Sequence, residues 1–295
     1  MRYNMPLGGI YLLYCYFSVV FADDDFSKFE KEMQSEPPGI GHPSDQTAVY
    51  SRASDKALDK AIETQLKSVR NKIISEPEMN EFDPYLKINK DGIKVYIYSH
   101  KNSLFGTFKA ITHINASLDS IIAVILDIES STEWLDACEK SFLIKKLSFT
   151  EQYHYQIFTI PFPFKNRDFI FHSTMQHDPL SNAITITMSS APDYCIDKQS
   201  EKCQEANQSG LVRVNKSIGT LKLEPDDKGT KITWIQHTDP AGHLPAWLVN
   251  LLVKKTPYRS LIKLTEKVKE EKYKLARLIY DNNGVAVAIN TRVSL

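Results

Sequence analysis

At 295 residues the chain is long enough for one α+β domain with tails, and its 42% apolar content allows a full core. Its formal net charge is +0 at pH 7. That excludes the basic excess by which nucleic-acid binders, and proteins drawn broadly to anionic membranes, are recognised. No nucleic-acid partner is expected.

The chain opens on a targeting pattern. Arg2 precedes a nearly all-apolar run over 7–21, and Val20-Phe21-Ala22 stands before Asp23-Asp24-Asp25. This order reads as a secretory signal over 1–22, cut after Ala22. The run falls short of the roughly 20 residues that a spanning helix needs, which favours cleavage over anchoring. The expected location is periplasmic if the host is bacterial, towards which the compact signal and domain lean, and secreted otherwise. Residues 23–53 read as a flexible leader: Pro37, Pro38, Gly39, Gly41 and Pro43 leave little apolar surface to offset the entropy of ordering. A tethering arm or mouth cover is the alternative there.

The folded domain is expected over 54–281. Leu58, Ile62, Leu66, Val69 and Ile73 recur at helical spacing over 54–74, with Ser54 as N-cap and Glu76-Pro77 as the stop. After an Asp91-Gly92 turn, Ile93, Val95 and Ile97 alternate with Lys94, Tyr96 and Tyr98, as in a strand. A second strand is predicted at 105–114. Over 117–129, Leu118, Ile121, Ile122, Ile125 and Leu126 share one helical face behind the cap Ser117. Strands follow at 142–149, 153–160, 168–177, 183–190, 211–223 and 231–238. Strands gathered between terminal helices, with no βαβ alternation, predict an α+β fold on an antiparallel sheet. After Asp239-Pro240-Ala241-Gly242 a helical pattern runs from Pro245 to about 280, interrupted only by Pro257. Residues 282–295 read as a tail.

Two faces follow from periodicity. Phe169, Phe171, Ser173 and Met175 form the more apolar side of the 168–177 strand and are assigned to the interior, against Ile170, His172, Thr174 and Gln176. Val249, Leu252, Val253, Thr256 and Ser260 form a stripe on the long helix, with Trp247, Leu248 and Leu251 beside it. Periodicity alone fits an ordinary filled core.

Three segments carry a family resemblance. Asp239, Pro240, Gly242, Leu244, Pro245, Leu248, Val249 and Asn250 are similar to the strand-to-lid junction of START (steroidogenic acute regulatory protein-related lipid-transfer) domains, D-P-x-G-x-L-P-x-x-[LIV]-[VI]-N. Pro161-Phe162-Pro163-Phe164-Lys165-Asn166-Arg167-Asp168-Phe169 resembles the family's P-[FL]-P-x-x-x-R-D-[FY], and Trp134 stands where the family often ends its second helix. The resemblance implies the helix-grip fold: a curved antiparallel sheet around a cavity that the long C-terminal helix closes. It turns the two faces above into cavity walls and the helix into a lid. Lipid contacts are then expected from Phe169, Phe171, Ser173, Met175, Val249, Leu252, Val253, Thr256 and Ser260, with His154 and Gln236 as polar partners. In sterol-binding members a buried acidic–basic pair stands near the positions of His154 and Ser173; this sequence lacks it, which argues against a sterol without excluding one. Arg213 could pair with a phosphate, but its strand has an apolar face opposite to it, which favours an outward direction.

Of the cysteines left after signal removal, Cys195 and Cys203 bracket a polar loop and are expected to bond in an oxidising compartment, contributing about 2–3 kcal/mol. Cys138 reads as a buried free thiol. Sequons occur at Asn115, Asn207 and Asn215, and matter only in a eukaryotic host. No G-x-S-x-G, G-x-G-x-x-G, Walker or H-E-x-x-H motif occurs, and His237, Asp239 and His243 lack the helical spacing of a metal site. The reading is a monomeric, non-enzymatic lipid carrier with no cofactor, no metal and transient membrane contact. A helix-grip enzyme of cyclase or hydrolase type, or a scaffold with a vestigial cavity, are the alternatives.

Overall fold

The computed structural model describes residues 85–98, 105–207 and 210–291. The expected signal, the leader and the 54–74 helix lie outside the described residues. The chain divides into two compact units. Of the first, only Pro161–Phe164 is described, a turn with a hydrogen bond from the Phe164 N–H to the Pro161 carbonyl (3.1 Å) and a cis Phe162–Pro163 bond. The second, Val69–Ile160 with Lys165–Leu295, carries the architecture below.

Its strands in chain order are β1 (Tyr85–Lys90), β2 (Ile93–Tyr98), β3 (Thr107–Ile114), β4 (Cys138–Lys146), β5 (Glu151–Phe158), β6 (Arg167–Asp178), β7 (Ala183–Ser190), β8 (Val212–Arg213), β9 (Lys216–Asp226) and β10 (Gly229–Asp239). They form one sheet in the order β1-β2-β3-β10-β9-β7-β6-β5-β4, antiparallel throughout, with β8 pairing in parallel at the start of β6. Helix α1 (Leu118–Leu126) and the short α2 (Ser131–Trp134) link β3 to β4. Helix α3 (Glu201–Asn207) follows β7, α4 (Ala246–Lys267) follows β10, and α5 (Glu271–Lys274) leads into the hairpin of β11 (Arg277–Tyr280) and β12 (Ala286–Asn290).

Local chemistry accounts for most boundaries. Asp91 and Gly92 both take positive φ (53° and 71°), the combination that a two-residue hairpin turn requires. Ser117 caps α1 by accepting the Ser120 N–H at 3.2 Å. Gly229, at φ +138°, starts β10 where a Cβ would stand 2.2 Å from the Ile114 carbonyl oxygen, so no other residue fits. The α1 face Leu118, Ile121 and Ile122 packs with Leu221 and Leu223 of β9, Ile232 of β10, and Leu261 and Leu264 of α4 in the main core.

Three expectations are corrected. The helical pattern does not continue to 280: α4 ends at Lys267, because Tyr273 must turn inwards, where it is buried and donates its hydroxyl to Asp127 at 2.8 Å. Tertiary packing overrides helix propensity there. Residues 286–290 are strand, tied to β6 by the Ala286 N–H donating to His177 Nδ1 at 3.3 Å. The strand read over 211–223 breaks at Val214-Asn215 into β8 and β9. β1 carried no clear periodic signal, being a largely exposed edge strand.

The outer face of β4, β5 and β6 is also covered. Cys195 and Cys203 are bonded, with Cα atoms 5.0 Å apart, and with Ala206 they pack on Phe142, Tyr155 and Ile170. Burial pushes the free Cys138 thiol up to about 12, so it stays protonated.

Candidate functional site

Inside the sheet, under α4, lies a cavity of about 210 Å³. An engineered cavity of about 150 Å³ with aliphatic and aromatic walls stays dry and takes up benzene, so this one has room for more than a stray water. It follows β6 from Arg167 to Met175, about 27 Å of strand. Phe169, Phe171, Ser173 and Met175 line it, as do His154 and Gln236, and Val249, Leu252, Val253 and Thr256 of α4. Ser260 does not. It is fully buried one turn further on, where its Oγ accepts the Asp136 N–H at 2.9 Å.

The aromatic wall is built by strand alternation. Phe169 stacks on Phe171 at 5.0 Å and meets Phe158 edge-on at 5.4 Å; across the cavity Phe108 meets Trp234 edge-on at 5.1 Å.

The polar lining comes mainly from β5. Gln152, His154 and Gln156 alternate inwards and are all buried, with Ser173 opposite Gln152 in the β5–β6 register. Gln156 Nε2 donates to Ser141 Oγ at 3.4 Å, and His154 Nδ1 lies 3.5 Å from Ser173 Oγ. Burial pulls the His154 imidazole down to about 4, so it is neutral near pH 7. Gln236, by contrast, is occupied by the protein: its Oε1 accepts the Trp234 indole N–H at 3.1 Å, and its Nε2 donates to Ser217 and Thr238. Sequence reasoning missed Gln152, Gln156 and the cavity-lining role of Arg167.

Arg167 links two of the sequence signatures. Its Nε donates to the Pro240 carbonyl at 3.0 Å, its Nη2 to Ala241 at 2.9 Å and its Nη1 to Lys165. Gly242 (φ +65°) makes this approach possible, since a Cβ there would lie 3.3 Å from Nη2. The arginine thus fastens the start of β6 to the turn that leads into α4. Burial lowers the pKa of Arg167, but a guanidinium stays charged.

Arg213 neither reaches the cavity nor points freely outward, as expected from its strand. It is half-buried on the opposite face of β6, donating from Nε to Asp168 at 2.9 Å and from Nη2 to the Ala206 carbonyl at 2.8 Å. Asp168 also accepts the Tyr155 hydroxyl at 3.0 Å. At the junction, His237 Nδ1 sits 3.2 Å from Thr107 Oγ1 and Asp239 accepts the Ala241 N–H; among the described residues no group of three or more His, Cys, Asp or Glu is placed to hold a metal.

The START domain family model matches residues 79–272, about two thirds of the chain. The chain belongs to the START domain family. A STAR-related lipid transfer protein of Xanthomonas axonopodis (a crystallised fragment) is similar at 30% identity and a TM-score of 0.55, covering 63% of this chain and 99% of that one. An uncharacterized protein of Pseudomonas aeruginosa is 29% identical over 59% of this chain and 80% of its own. A phosphatidylcholine transfer protein of Rattus norvegicus is 24% identical over 61% of this chain and 81% of its own. The curved antiparallel sheet with its C-terminal helix is therefore the START helix-grip fold.

Proposed function

We propose that this START-family chain binds one lipid or other hydrophobic molecule in the cavity and carries it between membranes, with α4 as the lid. The observation that carries the reading is a cavity whose wall surface is mostly apolar, supplied by aromatic and aliphatic side chains with polar side chains set among them; that is the make-up of a site for a mostly apolar ligand. The names of the Xanthomonas and rat relatives, both lipid transfer proteins, support it. The reading assigns the cavity to binding rather than catalysis, in a monomer without a cofactor. Membrane contact is transient, and export by the N-terminal signal belongs to the same proposal. No helix among the described residues is long and apolar enough to cross a membrane.

The ties of α4 suggest how the lid moves. Tyr258 donates to Asp91, Lys263 bonds Asp136 at 2.7 Å, and Lys267 bonds Glu133 and Glu270. These ties lie beyond Pro257, and the cavity-lining Val249, Leu252, Val253 and Thr256 lie before it. Pro257 removes one backbone bond inside the helix, so the lid bends there while its far half stays anchored. Pro257→Ala is expected to slow exchange of a bound fluorescent lipid by about tenfold, restoring a bond worth about 1 kcal/mol together with intrinsic helix stability. Unchanged exchange rates would reject a hinge at this position.

The function itself is tested by transfer of a fluorescent lipid from donor to acceptor vesicles. Transfer that rises in proportion to protein, and falls when Phe171→Asp places a charge in the wall, is the expected result. Transfer no faster than the spontaneous rate would remove the proposal.

A further inference from the structure

Resting on the lipid-binding reading, we infer that the β5 side of the cavity selects the ligand's polar end, and that this end is uncharged: a hydroxyl, amide or ester rather than a phosphate or ammonium group. Two neutral side chains of β5 that line this cavity keep hydrogen-bonding capacity with no partner among the described residues. The Gln152 side-chain amide makes no hydrogen bond, although only 8% of the residue is exposed. His154 Nε2 makes none, its ring being held only through Nδ1 at 3.5 Å. A polar group left unpaired away from bulk water is costly, and here the Gln152 amide both donates and accepts while the His154 Nε2 does one or the other according to its tautomer. A hydroxyl, which both donates and accepts, completes such a set; so does an amide or ester.

Charge is disfavoured on the same geometry. The stripe of Gln152, His154, Gln156 and Ser173 contains no ion, the imidazole being neutral. Of the charged residues that line the cavity, Glu151 accepts from His172 Nε2 at 2.7 Å. Arg167 lies about 20 Å from Ser173 along β6, with its donors directed at three backbone carbonyls. A phosphate brought to the stripe would lose its water with no cation to replace it, and an ammonium group would find no carboxylate among the four stripe side chains, Glu151 being engaged by His172.

The test uses the full chain and mixed vesicles of dioleoylglycerol, dioleoylphosphatidylcholine and dioleoylphosphatidylglycerol, which share tails and differ only in the polar end. After separation from the vesicles, protein-bound lipid is extracted and quantified. The expected result is at least about tenfold enrichment of dioleoylglycerol over both phospholipids, relative to the vesicles. Equal uptake, or enrichment of either phospholipid, overturns the inference and leaves lipid binding standing. No lipid bound overturns both. Gln152→Leu, similar in volume, supplies the second reading: enrichment of the diglyceride collapses while phospholipid uptake holds. An equal fall for all three lipids would give Gln152 a merely structural part and overturn its place in selection.

Discussion

Replacing Asp168 with alanine is expected to destabilise the fold by about 3–5 kcal/mol, the cost of stranding a buried charge. Asp168 is fully buried, and its carboxylate accepts from Arg213 Nε at 2.9 Å and Nη2 at 2.8 Å. Arg213 in turn donates to the carbonyls of Ala206 and Pro192, on either side of the disulfide-closed segment. Without the carboxylate, the guanidinium stays half-buried with carbonyl dipoles alone. The double change Asp168→Leu with Arg213→Met removes both charges for apolar groups of similar size and should recover most of the loss. Denaturant unfolding checks both. A single alanine variant within 1 kcal/mol of the parent would mean that the pair adds little beyond its desolvation penalty.

The second large effect is on pH dependence. His154 takes up its proton near 6.5 when unfolded and only at about 4 when folded, because burial penalises the imidazolium. Between those values the unfolded chain binds more protons, so stability falls as pH drops. The contribution is fully present above pH 6.5 and is lost progressively down to about pH 4, by an amount on the order of 3 kcal/mol. His154→Gln, which cannot charge, should flatten this slope. Unfolding free energies at pH 7, 5.5 and 4.5 decide it: parallel curves for the two proteins would show that His154 is not held neutral by the fold.

The fold was legible because its signals are local. Alternation in β2 and β6, the cap at Ser117 and the Asp91-Gly92 turn placed those elements close to where they stand. The inward set on β6 was also legible, as the more apolar alternate residues. The same rule fails one strand away. On β5, Tyr153, Tyr155 and Ile157 are the more apolar set, yet Gln152, His154 and Gln156 line the cavity. Tyr155 and Ile157 are packed instead under Cys195, Cys203 and Ala206, a cover on the far face that periodicity within β5 does not reveal. A sheet buried on both sides removes the contrast on which inside and outside are read. Arg167 illustrates a second kind of loss. Its motif was visible, but its bonds to Pro240 and Ala241 join segments over seventy residues apart, and no spacing within either segment encodes them. Ser260 kept the period of the α4 stripe, while the neighbouring Asp136 N–H claimed its hydroxyl.

The central claim is that the cavity holds a lipid, and native mass spectrometry of the chain purified from its own compartment tests it most directly. The account predicts one bound mass per chain, released by organic solvent and carrying an uncharged polar end. A chain that emerges bare, and takes up no lipid from mixed vesicles, would contradict it.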